Sequence, residues 1–259
     1  MKIPYYHIDA FAETPFTGNP AGVCLLDSWS ESLFLQRIAA ENNLSETAFV
    51  VPDGDAYALR WFTPTIEVDL CGHATLATAF VLDLTGRISK WPVHFSTKSG
   101  MLSVAKENDI YFLDFPARPA EPCSPPTDLI KGLGVMPRNT LKSRDYLAVF
   151  DDQEQVINLE PDFATLASLD CLGVIVTAPG TDVDFVSRFF APGAGVPEDP
   201  VTGSSHCTLI PYWAGQTGKQ QMVARQLSER GGELICQNND QRVRIGGRAV
   251  LYHSGSINI

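Results

Sequence analysis

Positive charge is the scarcest thing in this chain. Its 259 residues carry 19 Lys and Arg against 30 Asp and Glu, a formal net charge of −11, and the cations never gather into a block. That balance argues against nucleic acid or an anionic membrane surface as a partner. Long hydrophobic runs are missing too. The uncharged stretch Ala74 to Leu82 is far short of the roughly 20 residues a membrane-spanning helix needs. No apolar leader follows Met1-Lys2-Ile3-Pro4, and the expectation is a cytoplasmic protein. The six cysteines are scattered without a C-x-x-C pair, which argues against a disulfide framework. What is present is 44% hydrophobic residues with only 19% charged. That composition describes one large or two modest globular domains with a substantial core.

The informative stretch is Leu59 to Gly86. A β-like lead-in, Leu59 to Thr63, and a turn segment, Pro64 to Leu70, deliver Cys71-Gly72-His73-Ala74 into an apolar run. Because that run keeps to no single side of a helical wheel, it predicts a helix buried all round. A buried helix start has unsatisfied N–H groups and the positive end of the macrodipole, and an anion answers both. The design recurs. Arg60-Trp61-Phe62-Thr63-Pro64 returns in the second half as Arg188-Phe189-Phe190-Ala191-Pro192, and Gly72-His73-Ala74 returns at a slightly wider interval as Gly203-Ser204-Ser205. A second apolar helix, Cys207 to Ala214, follows and ends near Thr217-Gly218 as the first ends at Thr85-Gly86. Two copies imply two similar halves, since a solenoid needs three or more. Two such helix starts facing one cleft would suit a small anionic substrate, most simply a carboxylate.

The remaining pattern is β-rich. Strands are expected over Tyr5–Phe11, Val23–Leu26 and the segment entering Val51, then near 57–63, 92–97, 101–106 and 110–115. Ser30 to Asn42 reads as a helix with Leu33, Phe34, Ile38 and Ala39 on one face and Ser30 as its cap. The proline-rich segment Pro116 to Pro126 reads as a linker, so the halves are placed at 1–118 and 119–259, with the last strand free to return to the first half. Beyond it, helices are expected at Asp128–Gly132 and Leu159–Leu169, and strands near 145–150, 172–178, 183–190, 234–236, 242–245 and 249–253.

Three polar residues stand out. Glu46, between Leu44 and Phe49, is either a strand-end surface carboxylate or a general base made stronger by desolvation. His73 sits where a helix start pushes an imidazole toward neutrality, fit to donate or relay a proton. Asp199, in Glu198-Asp199-Pro200-Val201-Thr202-Gly203, either caps a turn or stands in the cleft. Cys71 opens the first helical turn, a position that lowers a thiol pKa, although a buried inert thiol is the commoner case for a cysteine. Its counterpart before Gly203 in the second copy is Thr202, so no pair of facing thiols exists. A zinc site from Cys71, His73, His206 and Cys207 would need C-x-H and H-C spacings, which are not common ligand spacings, and no metal is expected.

Several motifs in order along nearly the whole chain identify a resemblance. They are Tyr6-His7-Ile8-Asp9-Ala10-Phe11, Gly18-Asn19-Pro20, Asn43-Leu44-Ser45-Glu46-Thr47, Arg60-Trp61-Phe62-Thr63-Pro64, Cys71-Gly72-His73-Ala74-Thr75 and Glu198-Asp199-Pro200-Val201-Thr202-Gly203-Ser204. Arg230-Gly231-Gly232 and Ile245-Gly246-Gly247 complete the set. The chain resembles the phenazine-biosynthesis-like isomerase family (PhzF) of the diaminopimelate epimerase-like superfamily. The resemblance implies an α+β fold of two pseudo-symmetric halves, each a β-barrel-like sheet around a central buried helix, with the active site between them. It implies chemistry without metal, pyridoxal phosphate or nucleotide, and a possible homodimer. It gives Glu46 the proton shuttle, with His73 and Asp199 assisting, and it points to Asn19, Cys71, Gly72, Ala74, Gly203 and Ser204 as substrate-binding positions. Cys71 also matches the first catalytic cysteine of the epimerase branch. The expected function is thus a cofactor-independent isomerase acting on a small cyclic or amino-acid-like carboxylic acid. A one-thiol epimerase or dehydratase using Cys71 and a non-catalytic small-molecule binder are the alternatives.

Overall fold

The computed structural model describes residues 2–259, and the chain divides into two compact units, Met1–Asp114 with Gly246–Ile259, and Phe115–Ile245. In chain order the first unit contains β1 (Lys2–Ala10), β2 (Asn19–Leu25), α1 (Ser32–Asn42), β3 (Glu46–Asp53), β4 (Ala56–Phe62), β5 (Glu67–Val68), α2 (Gly72–Leu84), β6 (Val93–Thr97), β7 (Gly100–Glu107) and most of β8 (Ile110–Pro116). The second contains β9 (Glu121–Pro122), α3 (Thr127–Leu133), β10 (Asn139–Lys142), β11 (Tyr146–Val149), α4 (Gln153–Ile157), α5 (Phe163–Leu166), β12 (Val174–Pro179), β13 (Phe185–Phe190), α6 (Gly203–Thr217), β14 (Gln221–Gln226), β15 (Gly232–Asn239) and most of β16 (Arg242–Gly247). The last strand, β17 (Ala249–Asn258), lies in the first unit and pairs with β1 along its whole length. Among the described residues no helix is long and apolar enough to cross a membrane.

The internal duplication appears in the strand pairing of each unit taken by itself. In the first, β2–β3 is parallel, β3–β4 antiparallel, β4–β6 parallel and β6–β7 antiparallel. In the second, β11–β12, β12–β13, β13–β14 and β14–β15 repeat that order of senses. Each parallel step needs a crossover, and the two main helices fill the same one: α2 joins the β4/β5 arm to β6, and α6 joins β13 to β14.

The α2 helix packs on β1, β2, β3, β7 and β17, and nine of its thirteen residues are buried. Two of those nine are threonines, whose hydroxyls have no water to turn to. Thr75 Oγ1 donates to the Cys71 carbonyl at 2.5 Å, and Thr78 Oγ1 to the Ala74 carbonyl at 2.7 Å, the i−4 bond open to a buried helical hydroxyl. The opposite face of the same sheet is covered by α1, where Leu35, Ile38 and Ala39 meet Phe49, Val51 and Phe62. β3 is thereby buried on both sides, and its central Ala-Phe-Val-Val run does not alternate.

The α6 helix contains Pro211. Proline has no N–H and cannot bond the carbonyl four residues back, here that of Cys207. The Arg118 backbone N–H takes that carbonyl instead, at 2.8 Å. Farther along, Trp213 stacks on Phe185 with ring centroids 5.6 Å apart and donates to Thr177 Oγ1 at 3.0 Å.

Several expectations need correction. Helix α1 is preceded by Glu31 without a side-chain cap, so Ser30 does not cap it, and Leu33 is exposed. The helix placed at Leu159–Leu169 is a single turn, Phe163–Leu166, which Asp162 starts by accepting from the Ala164 and Thr165 N–H groups. The second apolar helix begins at Gly203 and runs to Thr217. The proline-rich segment is not free chain: β9 lies within it and pairs with β10. Strands β10 and β14 and helix α4 had no recognised signal, because each is short and mixed in polarity.

Candidate active site

In the first unit three sequence-predicted residues meet at the α2 start. Glu46 opens β3 in register with Ala21 of β2. It follows Asn43, whose left-handed backbone (φ 47, ψ 40) ends α1, a conformation asparagine tolerates better than most residues. Cys71 is the extended residue before α2 and its side chain makes no capping bond, so the first N–H groups of the helix are left to other partners. His73, in the first turn, holds Nε2 3.1 Å from Glu46 Oε2, with side-chain exposures of 7% and 19%. The approach is at ion-pair distance but not in line, and neither atom has another hydrogen-bond partner. The other ring nitrogen, Nδ1, lies 3.6 Å from Cys71 Sγ. Asn19, at the start of β2, is buried, as are Cys71 and Ala74. The turn ahead of Asn19 depends on Gly18, at φ 68, where a Cβ would run into the Ala10 carbonyl oxygen.

The electrostatics bear on both groups. Burial works against a charged imidazole, but the Cys71 sulfur and the Glu46 carboxylate outweigh it and raise the His73 pKa well above the ordinary histidine value. The helix start therefore does not keep His73 neutral. The Cys71 pKa is raised, first by burial and then by the Glu46 carboxylate, with His73 only partly opposing. Cys71 is therefore a buried thiol and not a ready thiolate. The ligating atoms of Glu46, Cys71 and His73 lie within 4.8 Å of one another, so the three side chains form one compact group of proton-carrying atoms at the helix start.

In the second unit the α6 start is built differently. Thr202 precedes the helix and also makes no side-chain cap, because its hydroxyl donates to Asp199 Oδ2 at 2.5 Å. Gln226, fully buried at the end of β14, braces this turn from below. Its Oε1 accepts from the Thr202 N–H at 2.9 Å, and its Nε2 donates to the Asp199 carbonyl at 2.7 Å and to Thr202 Oγ1 at 3.2 Å. Ser228 Oγ adds a bond to the Pro200 carbonyl at 2.7 Å. Gly203 begins the helix, and Ser204 Oγ accepts from Arg144 Nη2 at 3.2 Å. His206 and Cys207, weighed in sequence as metal ligands, are both buried. His206 Nδ1 donates to the Thr202 carbonyl at 2.8 Å, and burial lowers its pKa to about 4.

Gln226 and Arg144 escaped the sequence reading. So did a pair of clamps that fix both helix approaches. Arg60 grips Glu67 with Nε and Nη2 at 2.8 and 2.9 Å, and Arg188 grips Glu198 the same way at 2.8 and 3.0 Å. Each guanidinium also lies over a phenylalanine two residues on, Phe62 and Phe190. A signal was available, since Glu67 and Glu198 stand apart by the same interval as Gly72 and Gly203.

Comparison with known proteins fits this arrangement. The family model described as phenazine biosynthesis-like protein matches residues 8–255. The chain belongs to the phenazine biosynthesis-like family. An uncharacterized isomerase of Pseudomonas aeruginosa is 52% identical over 100% of both chains. The crystal structure of a PhzF-family phenazine biosynthesis protein from Enterococcus faecalis superposes with a TM-score of 0.98 at 48% identity, covering 100% of both chains. A hydroxyproline epimerase from Agrobacterium vitis, at 10% identity with a TM-score of 0.63 over 99% of this chain and 92% of its own, shares the fold. The fold is therefore the diaminopimelate epimerase-like α+β type, and the class of activity is that of an isomerase.

Proposed function

We propose that this isomerase moves a proton within a small carboxylic acid, cyclic or amino-acid-like, by acid–base chemistry of its own side chains and without a cofactor. The observation that carries this reading is the Glu46–His73 pair, a carboxylate 3.1 Å from an imidazole whose pKa is raised. In the first step the Glu46 carboxylate takes a proton from a carbon next to the substrate's carboxylate or conjugated system. The electron pair of the broken C–H bond moves into that system as an enolate-like anion. The proton then returns from Glu46 to a different carbon on the same face. Where the His73 imidazolium delivers a proton instead, Glu46 passes the abstracted proton to the imidazole across the 3.1 Å contact and both groups are restored. The developing anion is stabilised by helix-start N–H groups that no side chain caps. Preorganised donors of this kind are typically worth about 3–4 kcal/mol of barrier each. Asp199, held by Thr202 and Gln226, is assigned the assisting carboxylate, and Asn19, Cys71, Gly72, Ala74, Gly203 and Ser204 the substrate-binding positions.

A second reading uses Cys71 as the base, because its sulfur lies 3.6 Å from His73 Nδ1. The raised thiol pKa weighs against it. Incubating the protein in deuterium oxide with a library of small carboxylates tests both readings. Deuterium should enter a C–H position of a substrate, Cys71→Ala should retain that exchange, and Glu46→Gln should lose it. Exchange that survives Glu46→Gln and disappears in Cys71→Ala would establish the thiol reading instead.

A further inference from the structure

With Gly72 and Gly203 aligned, Ser204 is the counterpart of His73. Each is the second residue of its helix, and each is touched by one long charged side chain. For His73 that side chain is the Glu46 carboxylate at 3.1 Å. For Ser204 it is the Arg144 guanidinium at 3.2 Å. The duplicated device has opposite charge in its two copies: an acid in the unit that holds the proton-transfer pair, a cation in the other.

Arg144 is built as a fixed cation. Its Nε and Nη2 grip Asp145 at 3.0 and 2.6 Å. Asp145 is fully buried and is itself anchored by the Gly173 N–H at 3.2 Å. The inner edge of the guanidinium is thus locked, and a hydrogen bond to Ser204 completes it. Nη1 makes no hydrogen bond among the described residues, and the side chain remains 32% exposed. A second arginine lies on the same stretch of helix. The backbone N–H of Arg118 takes the carbonyl that Pro211 releases at Cys207. Its Nη1 is buried without a hydrogen-bond partner among the described residues. The field of both guanidinia reaches the Cys207 thiol, which burial raises to about 11 and the two arginines pull downward. Asp145 is gripped by Arg144, while Arg118 keeps a buried nitrogen without a hydrogen-bond partner among the described residues, in a chain with eleven more acids than bases. A buried guanidinium nitrogen without a partner is costly, and a bound oxyanion would relieve it.

We infer that Arg144, with Ser204 and supported by Arg118, is the anion-recognition element of this protein and takes a carboxylate of the ligand on its free edge. This rests on the proposed function only for the identity of the ligand as substrate. Arginine suits the task because its planar fork matches a carboxylate and is fixed in advance.

The test uses malonate as probe and follows thermal stability across malonate concentrations, with sodium chloride at matched ionic strength as control. A ligand that binds only the folded protein raises stability in a saturable way. Wild type should show that rise with malonate and not with chloride. Arg144→Met alone leaves Asp145 buried and unpaired and can fail to fold, so the decisive variant is Arg144→Met with Asp145→Asn. It should fold and bind malonate roughly tenfold to a hundredfold more weakly, the loss expected for a hydrogen bond to a charged group. Arg144→Lys should fall between, keeping the charge without the fork. Glu46→Gln should bind malonate as wild type does, so a failure of the proton-transfer reading and a failure of this one give different results. Malonate affinity unchanged in the double variant, or no saturable effect in wild type, would overturn the inference.

Discussion

Two buried histidines in this chain have been given opposite characters by what touches them. His206 bonds one carbonyl and is otherwise desolvated, which lowers its pKa to about 4. A group depressed in the folded state is charged more readily when unfolded, so stability falls as pH drops below about 6.5 and levels off near pH 4. The shift corresponds to about 3 kcal/mol, and His206→Asn should remove that part of the acid loss in urea unfolding at pH 7 and pH 4.5. An equally steep acid loss in the variant would refute this. His73 carries the reverse sign, because Cys71 and Glu46 raise it. Its contribution is fully present below about pH 6.5 and is lost as pH rises through the raised value. His73→Asn should flatten the alkaline side of the stability profile. Gln226 offers a third test. Replacing it with Leu strands the Thr202 N–H and the Asp199 carbonyl, each worth about 1–3 kcal/mol when buried and unpaired. Gln226→Leu should lose both stability and turnover. Gln226 was not legible in the sequence because an isolated glutamine in a short polar strand gives no pattern, whereas Glu46, His73 and Asp199 sit inside motifs.

Among the elements, the two arginine clamps look alike but carry unequal loads. Both grip a glutamate with two nitrogens. Arg188 also donates Nη1 to the Val156 and Leu159 carbonyls at 3.1 and 2.9 Å, so its loss leaves an acid and two carbonyls without a partner. Arg60 has one further bond, from Nη2 to the Ser32 hydroxyl at 2.7 Å. Arg188→Met should therefore destabilise by about 3–5 kcal/mol, as breaking a buried pair does, and Arg60→Met by clearly less. Equal melting-temperature losses would contradict this ranking. The long strands and both apolar helices were legible because their runs of Ala, Val, Leu and Phe leave no other reading. The helix expected at Leu159–Leu169 was not, since Asp162 starts a turn that ends four residues later. The start of α6 was legible only through its match to Gly72, because Gly203-Ser204-Ser205-His206 carries no apolar pattern of its own.

At the scale of the whole molecule, the repeated Arg-to-Gly segment made the internal duplication legible in the sequence, though not the strand senses that repeat with it. The allocation of acid to one copy and cation to the other was not, because Arg144 lies far from the repeat and meets Ser204 only through the fold. The same view makes a prediction about metals. Because the proposed proton transfer uses side chains alone, turnover should persist after dialysis against EDTA, and adding zinc back should not increase it. Loss on chelation with recovery on zinc would contradict that. The central claim is that Glu46 carries the proton, and one measurement addresses it directly: the rate of deuterium entry into the substrate's C–H position, compared between wild type, Glu46→Gln and Asp199→Asn. Gln keeps the size and reach of Glu but cannot take up and return a proton, and one acid–base group is typically worth about 10²–10⁴-fold. The account predicts a loss of at least about a hundredfold in Glu46→Gln with ligand affinity nearly intact, and a smaller, mixed loss in Asp199→Asn. A nearly silent Glu46→Gln beside a severe Asp199→Asn would contradict it and place the base in the other unit.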